Sequence, residues 1–482
     1  MERESTGFDI RLKQLELTNF RGFSQLSNLV FNERVTVLIS ENGGGKTSIL
    51  DAIAAALKVF ANQLLKSEFT RLPKLDPKNI KNGTMNGSIE LEIEGKISYI
   101  EKIEEIVEND ILIEASNEIQ DSKNFNSKLQ INLNEKDTTP RIDGCEATIE
   151  SEFEFREVFK THYRKEIDHL PILVYYGCNS IDTNSELTNH FRESNLFHLY
   201  AQSLDAQRFS FDSFLRWFDT QFKISKFDDG RQKTNHNSGI ELALIKKVVE
   251  TILNDDNEVF FDLRMKYAIE RDAMVINKRD LVGGFDEIEV DQMSAGEKVM
   301  FALSIDIAKR LILANPDLVK EEEGSNIDAL HGKGIVLIDE IDLHLHPKWQ
   351  RRILPKLMDL FPNVQFVVTT HSPFVVQSVL PQNCIRLNNG IPEYFEGEDV
   401  SDYETTAIDF FNINDFFNVA TSNLLREFRA LASQVANGQQ TKKDADFIQL
   451  IKHLSQKGDS LKAVLAFELS QMENQLKKND KN

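Results

Sequence analysis

Cysteine is scarce: Cys145, Cys178 and Cys384 are three in a chain of 482 residues, odd in number and with no C-x-x-C pair. That excludes a disulfide framework and a zinc ribbon, and fits a reducing cytoplasm. Positive charge is also in deficit, with 56 Lys and Arg against 77 Asp and Glu and a formal net charge of -21. A generally basic, nucleic-acid-coating surface is thereby excluded, and any DNA contact must be local or come through a partner. No stretch approaches the roughly 18 to 20 apolar residues of a membrane span, and the start, "MERESTGFDIRLKQ", lacks the apolar core of a secretory signal. The expectation is a cytoplasmic chain with no membrane contact. Internal repeats and sustained heptads are missing too, which excludes long coiled-coil arms. What remains, 41% hydrophobic and 28% charged, is ordinary for a globular protein with two or three domains' worth of core.

Along the chain the element types alternate. "IRLKQLEL" (10–17) and "RVTVLI" (34–39) read as strands, and helix-spaced apolar residues run from Ile49 through Leu57 to Phe60. Ile89, Leu91 and Ile93 alternate with Glu90, Glu92 and Glu94, the pattern of a strand with one wet face. The stretch from 62 to 165 reads as antiparallel elaboration. From 185 to 312 the pattern is helical, with "FDSFLRWFDTQF" and "KVMFALSIDIAKRLILA" as its clearest helices and "DDGRQKTNHNSG" (228–239) as a polar loop. After the acidic run Glu321 to Glu323 come two further buried strands, "GIVLIDE" and "VQFVVTTH", then amphipathic helix from 405 onward with a break at "NGQQTKK".

The chemistry concentrates in four places. In "TVLISENGGGKTSILDAI" (36–53) a buried strand meets a glycine turn and a helix start. Gly43, Gly44 and Gly45 offer a backbone bare enough for several N–H groups to converge on phosphate oxygens at a helix N-terminus. Lys46 can reach β- and γ-phosphates, Thr47 carries a hydroxyl placed for magnesium, and Asn42 and Ser48 flank them. Ser40 stands where the G-x-x-x-x-G-K-[ST] pattern has its first glycine; small size is what that position needs, so the turn tolerates it. In "IVLIDEIDLHLHP" an apolar strand delivers Asp339 and Glu340 to its C-terminal end, where open α/β sheets put their ligands. Asp339 is the expected magnesium residue, and Glu340 the group that polarises the attacking water. "FVVTTHSP" places His371 at another strand end. In "DQMSAGEKVMFAL" (291–303), Ser294, Ala295, Gly296 and Glu297 open a helix whose N–H groups form a second anion site. One chain cannot comfortably apply both anion sites to one phosphate, whereas two facing chains can.

In this order "NGGGKT", "MSAGEK", "LIDE" and "TTH", with "LTNFRGF" before the first strand and "DLHLHP" after the carboxylates, resemble the ABC-type ATPase head of the SMC, RecF and OLD-like group over residues 8–380. "LPILVYYGCN", "FLRWF" and "GIVLIDEIDLHLHPKWQRRILPKLMDLFPNVQFVVTTHSP" are similar to PtuA-like ATPases of Septu and retron anti-phage systems. The resemblance implies an α/β fold: a mixed-sheet core lobe with antiparallel elaboration, a helical lobe carrying the signature motif, and a C-terminal helical extension. The corresponding divisions are core lobe 1–165, helical lobe 166–312, core lobe continued 313–400, and helical extension 401–482. It further implies ATP and Mg2+, Ser294 and Gly296 acting in trans, Asp342 in a segment crossing a dimer seam, His371 as switch histidine, and Arg21 of "NFRGF" near the nucleotide. The implied partners are a second copy or a higher homo-oligomer and a separate HNH-type nuclease subunit, with nucleic acid met through the complex. Departures from the group's pattern are Ser40, Met293 in place of leucine and Ala295 in place of glycine; these leave ATP binding in place and bear on hydrolysis rate. A glutamine for the Q-loop is not identifiable, and Asn179 in "YYGCN" is the nearest polar substitute.

His344 and His346 form an H-x-H pair that can ligate zinc, but no third ligand follows at a suitable spacing. Glu396 in "YFEGED" and Asp444 with Asp446 in "KKDAD" imitate the acidic residues of the TOPRIM nuclease found in OLD-like relatives, yet no apolar strand leads into the aspartates. The C-terminal "FIQLIKHLSQKGDSLKAVLAFELSQMENQL" has apolar residues at helical spacing on two helices parted at Lys457-Gly458, suited to packing on the head or on a partner. Two function classes stand: an ATP-gated scaffold for a nuclease in defence, and a RecF-like repair ATPase that clamps DNA itself. A transporter engine is disfavoured, because exporters lack "NFRGF" and "LHLHP".

Overall fold

A computed structural model describes residues 7–65, 79–84, 86–102, 118–134, 146–151, 169–178, 203–206, 211–227, 238–255, 258–269, 272–279, 283–319, 329–397, 402–411, 417–436 and 445–479. Cys145, Asn179, Glu321 to Glu323, Asp444, the stretch 437–443 and most of the polar loop 228–239 lie outside them. The chain divides into two compact units, Met1–Thr406 and Ala407–Asn482.

The first unit holds an antiparallel sheet of order β2-β1-β4-β5-β6, formed by β1 (Gly7–Phe20), β2 (Phe23–Val30), β4 (Asn86–Lys102), β5 (Glu118–Asn134) and β6 (Glu146–Ser151). In β1 the buried residues Phe8, Ile10 and Leu12 alternate, and the alternation then skips one residue to Leu15 and Leu17. A one-residue slip would turn half the strand inside out, but a bulge between Leu12 and Gln14 absorbs the extra residue. Leu12, Leu15 and Leu17 thus all pair with the buried Ile93, Leu91 and Ile89 of β4. The wet face of β4 carries the expected glutamates, with Glu90 and Glu94 bridged to Lys128 and Lys13.

The second sheet has the order β14-β13-β3-β12-β11-β7. Its strands are β3 (Val35–Ile39), β7 (Ile172–Tyr176), β11 (Gly334–Ile338), β12 (Val364–Thr370), β13 (Cys384–Asn388) and β14 (Ile391–Tyr394). Five of them are parallel, and β14 is antiparallel on β13. The runs "VTVLI", "ILVYY", "GIVLI" and "VQFVVTT" are buried at every position, as strands covered on both faces must be. Helix α1 (Lys46–Leu65) contacts strands of both sheets, which explains why Ala52 through Leu57 are buried all round it. Gln365 locks the sheets together: its amide accepts from Leu12 N–H at 2.7 Å and donates to Leu12 O at 3.1 Å and Asn32 O at 2.8 Å.

Helices α2 (Phe211–Phe227), α3 (Ser238–Leu253) and α4 (Ala295–Ala314) pack together, as the periodicity predicts. Between α3 and α4, where helix alone is expected, stands a three-stranded antiparallel sheet of β8 (Phe260–Lys266), β9 (Ala273–Arg279) and β10 (Phe285–Glu289). The second unit gathers α6 (Val419–Ala436), α7 (Ala445–Ser455) and α8 (Asp459–Asn479) around Leu425, Phe428, Phe447, Leu454 and Leu461, with Phe428 stacked on Phe447 at 5.5 Å. The last two helices part at Gly458, whose φ of +144° suits glycine. Helix α5 (Pro347–Gln350) belongs to the first unit. Among the described residues no helix is long and apolar enough to cross a membrane.

Candidate active site

Three of the four quoted motifs leave the same edge of the parallel sheet: the glycine turn follows β3, the carboxylates follow β11 and His371 follows β12. Because β3, β12 and β11 are adjacent, residues far apart in sequence converge within a few ångströms. Gly43 and Gly45 adopt φ values of +77° and +93°, and Gly44 packs against the Ser40 side chain too closely for any Cβ. The serine therefore fits beneath the turn at the position of the usual first glycine. Helix α1 begins with Ile49 N–H donating to Gly45 O at 3.0 Å, and within the turn Gly44 N–H donates to Glu41 O at 3.1 Å. Asn42 lies exposed on the turn.

Lys46 is buried, and its ammonium donates to Ser40 O and Oγ, each at 3.0 Å. Burial pushes its pKa down, opposed by the charges of Asp339, Glu340 and Asp342. Thr47 Oγ1 donates to Asp339 Oδ2 at 2.8 Å across 292 residues of sequence. Two ligands on adjacent corners of a magnesium octahedron with bonds of about 2.0–2.1 Å stand about 2.9 Å apart. Thr47 and Asp339, both hard oxygen donors at nearly that spacing, fit the ion. Asp339 Oδ1 accepts from Thr369 Oγ1 at 2.6 Å, and Glu340 N–H donates to the same hydroxyl at 2.7 Å. Glu340 has a φ of +53°, in the left-handed region.

His371 N–H donates to Asp342 Oδ1 at 3.2 Å, and Thr370 Oγ1 donates to the same oxygen. Burial, then the nearby Lys46 charge, lowers the imidazole pKa against the pull of Asp342, Glu340 and Asp339, so the ring is neutral at physiological pH. Gln350, in α5, donates to Asp342 O at 3.2 Å and Leu345 O at 2.9 Å and accepts from Ser372 Oγ at 2.7 Å, bracing the turn between carboxylates and histidine. His346 Nδ1 caps α5 by accepting from Lys348 N–H at 3.3 Å, which occupies one member of the H-x-H pair. Arg21 is clamped by Asp51 of α1 and by Asn79 Oδ1 at 2.9 Å, and Tyr175 also bonds Asp51. Asp446 sits in the first turn of α7.

Ser294 caps α4 in a reciprocal box: its Oγ accepts from Glu297 N–H at 3.3 Å, while Glu297 Oε2 accepts from Ser294 N–H at 2.8 Å. The other Glu297 oxygen meets Lys278 at 3.3 Å, so this carboxylate serves the helix start itself. Gly296 lies against the segment that follows the carboxylates, where a Cβ would stand 3.3 Å from His344 O. Ala295 is the first residue of α4. Farther along, Asp306 accepts from Tyr176 Oη at 2.7 Å and from Arg310 Nε at 2.8 Å, tying α4 to β7 in a buried triad. A cavity of about 40 Å³ lined by Val299, Leu303, Tyr176, Asp339 and Glu340 is large enough for water and too small for a nucleotide.

Spacing alone does not mark Thr369, Thr370, Gln350 and Asp51 as site residues. The signal for the threonines was present, as two hydroxyls at the end of a buried strand next to a histidine, but threonine is also a common strand former.

The chain matches the AAA ATPase domain family over residues 11–376. It is 27% identical over 406 residues to the retron Vc95 probable ATPase of Vibrio cholerae serotype O1 biovar El Tor, covering 79% of this chain and 74% of that protein. It is 28% identical over 219 residues to the Septu protein PtuA of Bacillus mycoides strain KBAB4, covering 44% of this chain and 27% of that protein. Among solved structures it aligns with an SMC head bound to the C-winged helix domain of ScpA, at 14% identity and a TM-score of 0.41, over 80% of this chain and 97% of that one.

Proposed function

We propose that this chain, which belongs to the AAA ATPase domain family and is an ATPase, is the nucleotide-driven subunit of a cytoplasmic anti-phage defence complex. In it two copies close on ATP and regulate a separate HNH-type nuclease subunit. The observation that carries the hydrolytic part is the Thr47–Asp339 contact of 2.8 Å, which joins the glycine turn to the carboxylate strand. The defence context rests on the relatives named for retron and Septu systems.

In this reading the amides of Gly43, Gly45 and Lys46 cradle the phosphates and the Lys46 ammonium neutralises the β- and γ-oxygens. Magnesium held by Thr47 and Asp339 supplies further charge neutralisation when bound. Glu340 polarises the attacking water, and the neutral His371 ring donates a hydrogen bond to the γ-phosphate. Arg21, held by Asp51 and Asn79, lies near the nucleotide. The Ser294–Gly296 helix start completes the site from the second copy, and Asp342 lies in the segment crossing the seam.

The test has two variants and one assembly measurement. Glu340→Gln retains ATP binding, slows turnover and accumulates closed dimers; unchanged turnover removes the role of Glu340. Lys46→Ala loses nucleotide affinity, and ATP binding at the parent level overturns the phosphate-loop assignment. The complex purified with the products of neighbouring genes gains the mass of a second copy when ATP is added. Strongly salt-dependent duplex binding by this chain alone would instead favour the DNA-clamping reading.

A further inference from the structure

We infer that Thr369 is a positioning residue for ATP hydrolysis, its buried hydroxyl fixing Asp339 and Glu340 relative to one another. A threonine hydroxyl has one proton to give and lone pairs to receive. Here the proton goes to Asp339 Oδ1 at 2.6 Å, and a lone pair takes the Glu340 N–H at 2.7 Å. The other oxygen of Asp339 accepts from Thr47 at 2.8 Å. The carboxylate is therefore held at both ends by hydroxyls from two different elements, β12 and α1, and cannot turn without losing one of them.

The same residue controls the turn that follows β11. Thr369 O accepts from Ile341 N–H at 3.1 Å, so two successive amides, those of Glu340 and Ile341, are bound by one residue. Between them Glu340 holds its left-handed φ of +53°, a conformation that persists in a non-glycine residue where neighbours over-determine it. Thr369 is fully buried, as is Thr370 beside it, so water does not compete for these bonds. Removing the hydroxyl leaves the backbone bond to Ile341 in place but frees one oxygen of the Asp339 carboxylate and the Glu340 amide together.

This inference rests on the reading of Asp339 and Glu340 as hydrolytic groups, and the experiment separates the two. Steady-state ATPase and nucleotide binding are measured for the parent chain, Thr369→Val, Thr369→Ser and Glu340→Gln, with thermal melts of each. Thr369→Val is expected to lower kcat by about tenfold or more while the ATP affinity shifts by less than about threefold, and Thr369→Ser to recover about a third of the lost turnover or more. A kcat for Thr369→Val within about threefold of the parent, or a serine variant as slow as the valine one, overturns the inference. So does a loss of affinity equal to the loss of kcat, the mark of a merely structural residue. If the valine variant does not fold, Thr369→Ala against Thr369→Ser decides on the same criteria. Full turnover by Glu340→Gln overturns the reading of the site and the inference with it, whereas a slow Glu340→Gln beside a normal Thr369→Val overturns the inference alone.

Discussion

Replacing Gly45 by alanine tests whether the glycine turn is the nucleotide cradle. At a φ of +93° the position is strained for any L side chain, by roughly 1–2 kcal/mol. The new methyl would also stand 2.6 Å from Phe23 Cε2 and closer still to Cζ, against a ring that is only 4% exposed. Overpacking of this kind costs about 1–3 kcal/mol. The turn relieves both by leaving the shape that binds phosphate, so the cost is read in the dissociation constant of ATP. At 1.4 kcal/mol per tenfold, Gly45→Ala should weaken binding by about thirtyfold to a few thousandfold. In a Phe23→Ala background the clash is gone and only the backbone strain remains, so the same substitution should weaken binding by about five- to thirtyfold. Equilibrium titration of the four proteins with a fluorescent ATP analogue gives the cycle. Binding by Gly45→Ala within about twofold of the parent, or an identical penalty in both backgrounds, would refute the geometry.

Two predictions concern buried charges on α4. Arg310→Leu strands the Asp306 carboxylate in a site where the two side chains are 13% and 6% exposed, and should cost about 3–5 kcal/mol in urea denaturation, with Asp306→Leu in the same chain restoring part of the loss; additive losses would refute the pairing. Lys309, buried and lying 5.2 Å over the Trp217 ring, has its pKa pushed down from 10.5 to about 8 by burial. Between those values the unfolded chain binds the proton that the folded chain has lost, so this lysine's contribution to stability rises with pH from 8 to 10.5 and is lost as pH falls through 8. Lys309→Met should therefore be more stable than the parent by up to about 3 kcal/mol at pH 7, with the advantage shrinking above pH 8. A pH-independent difference in thermal or urea unfolding would refute the assignment.

The strands bearing the chemistry were legible because their burial is complete: "VTVLI", "GIVLI" and "VQFVVTT" read as buried strands wherever they pair, and each ends in the polar residues the site uses. The hairpins β8 to β10 were not. They are only five to seven residues long, and a register shift between Phe261 and Arg264 breaks the alternation of β8, so period and length gave no decision between helix and strand. β2, with one wet face and a glycine-led approach, was also unannounced. At the candidate site, Gly43 to Thr47 and Asp339 to Glu340 stand out by spacing alone. The bracing by Thr369, Gln350 and Asp51 does not, since it depends on which strands become neighbours, and that is a property of the assembled sheet.

The position of β3 has a consequence for how the chain is made. Both of its sheet partners, β12 and β13, lie toward the C-terminus, and the first begins at Val364. At roughly 5–20 residues per second, a ribosome needs about 15 to 65 s after finishing β3 to supply either one. Throughout that interval the apolar strand β3 has two open edges. Cellular holdases therefore have a defined client here, the nascent amino-terminal third of the polypeptide, and premature termination anywhere before Val364 yields a product whose central strand has nothing to pair with.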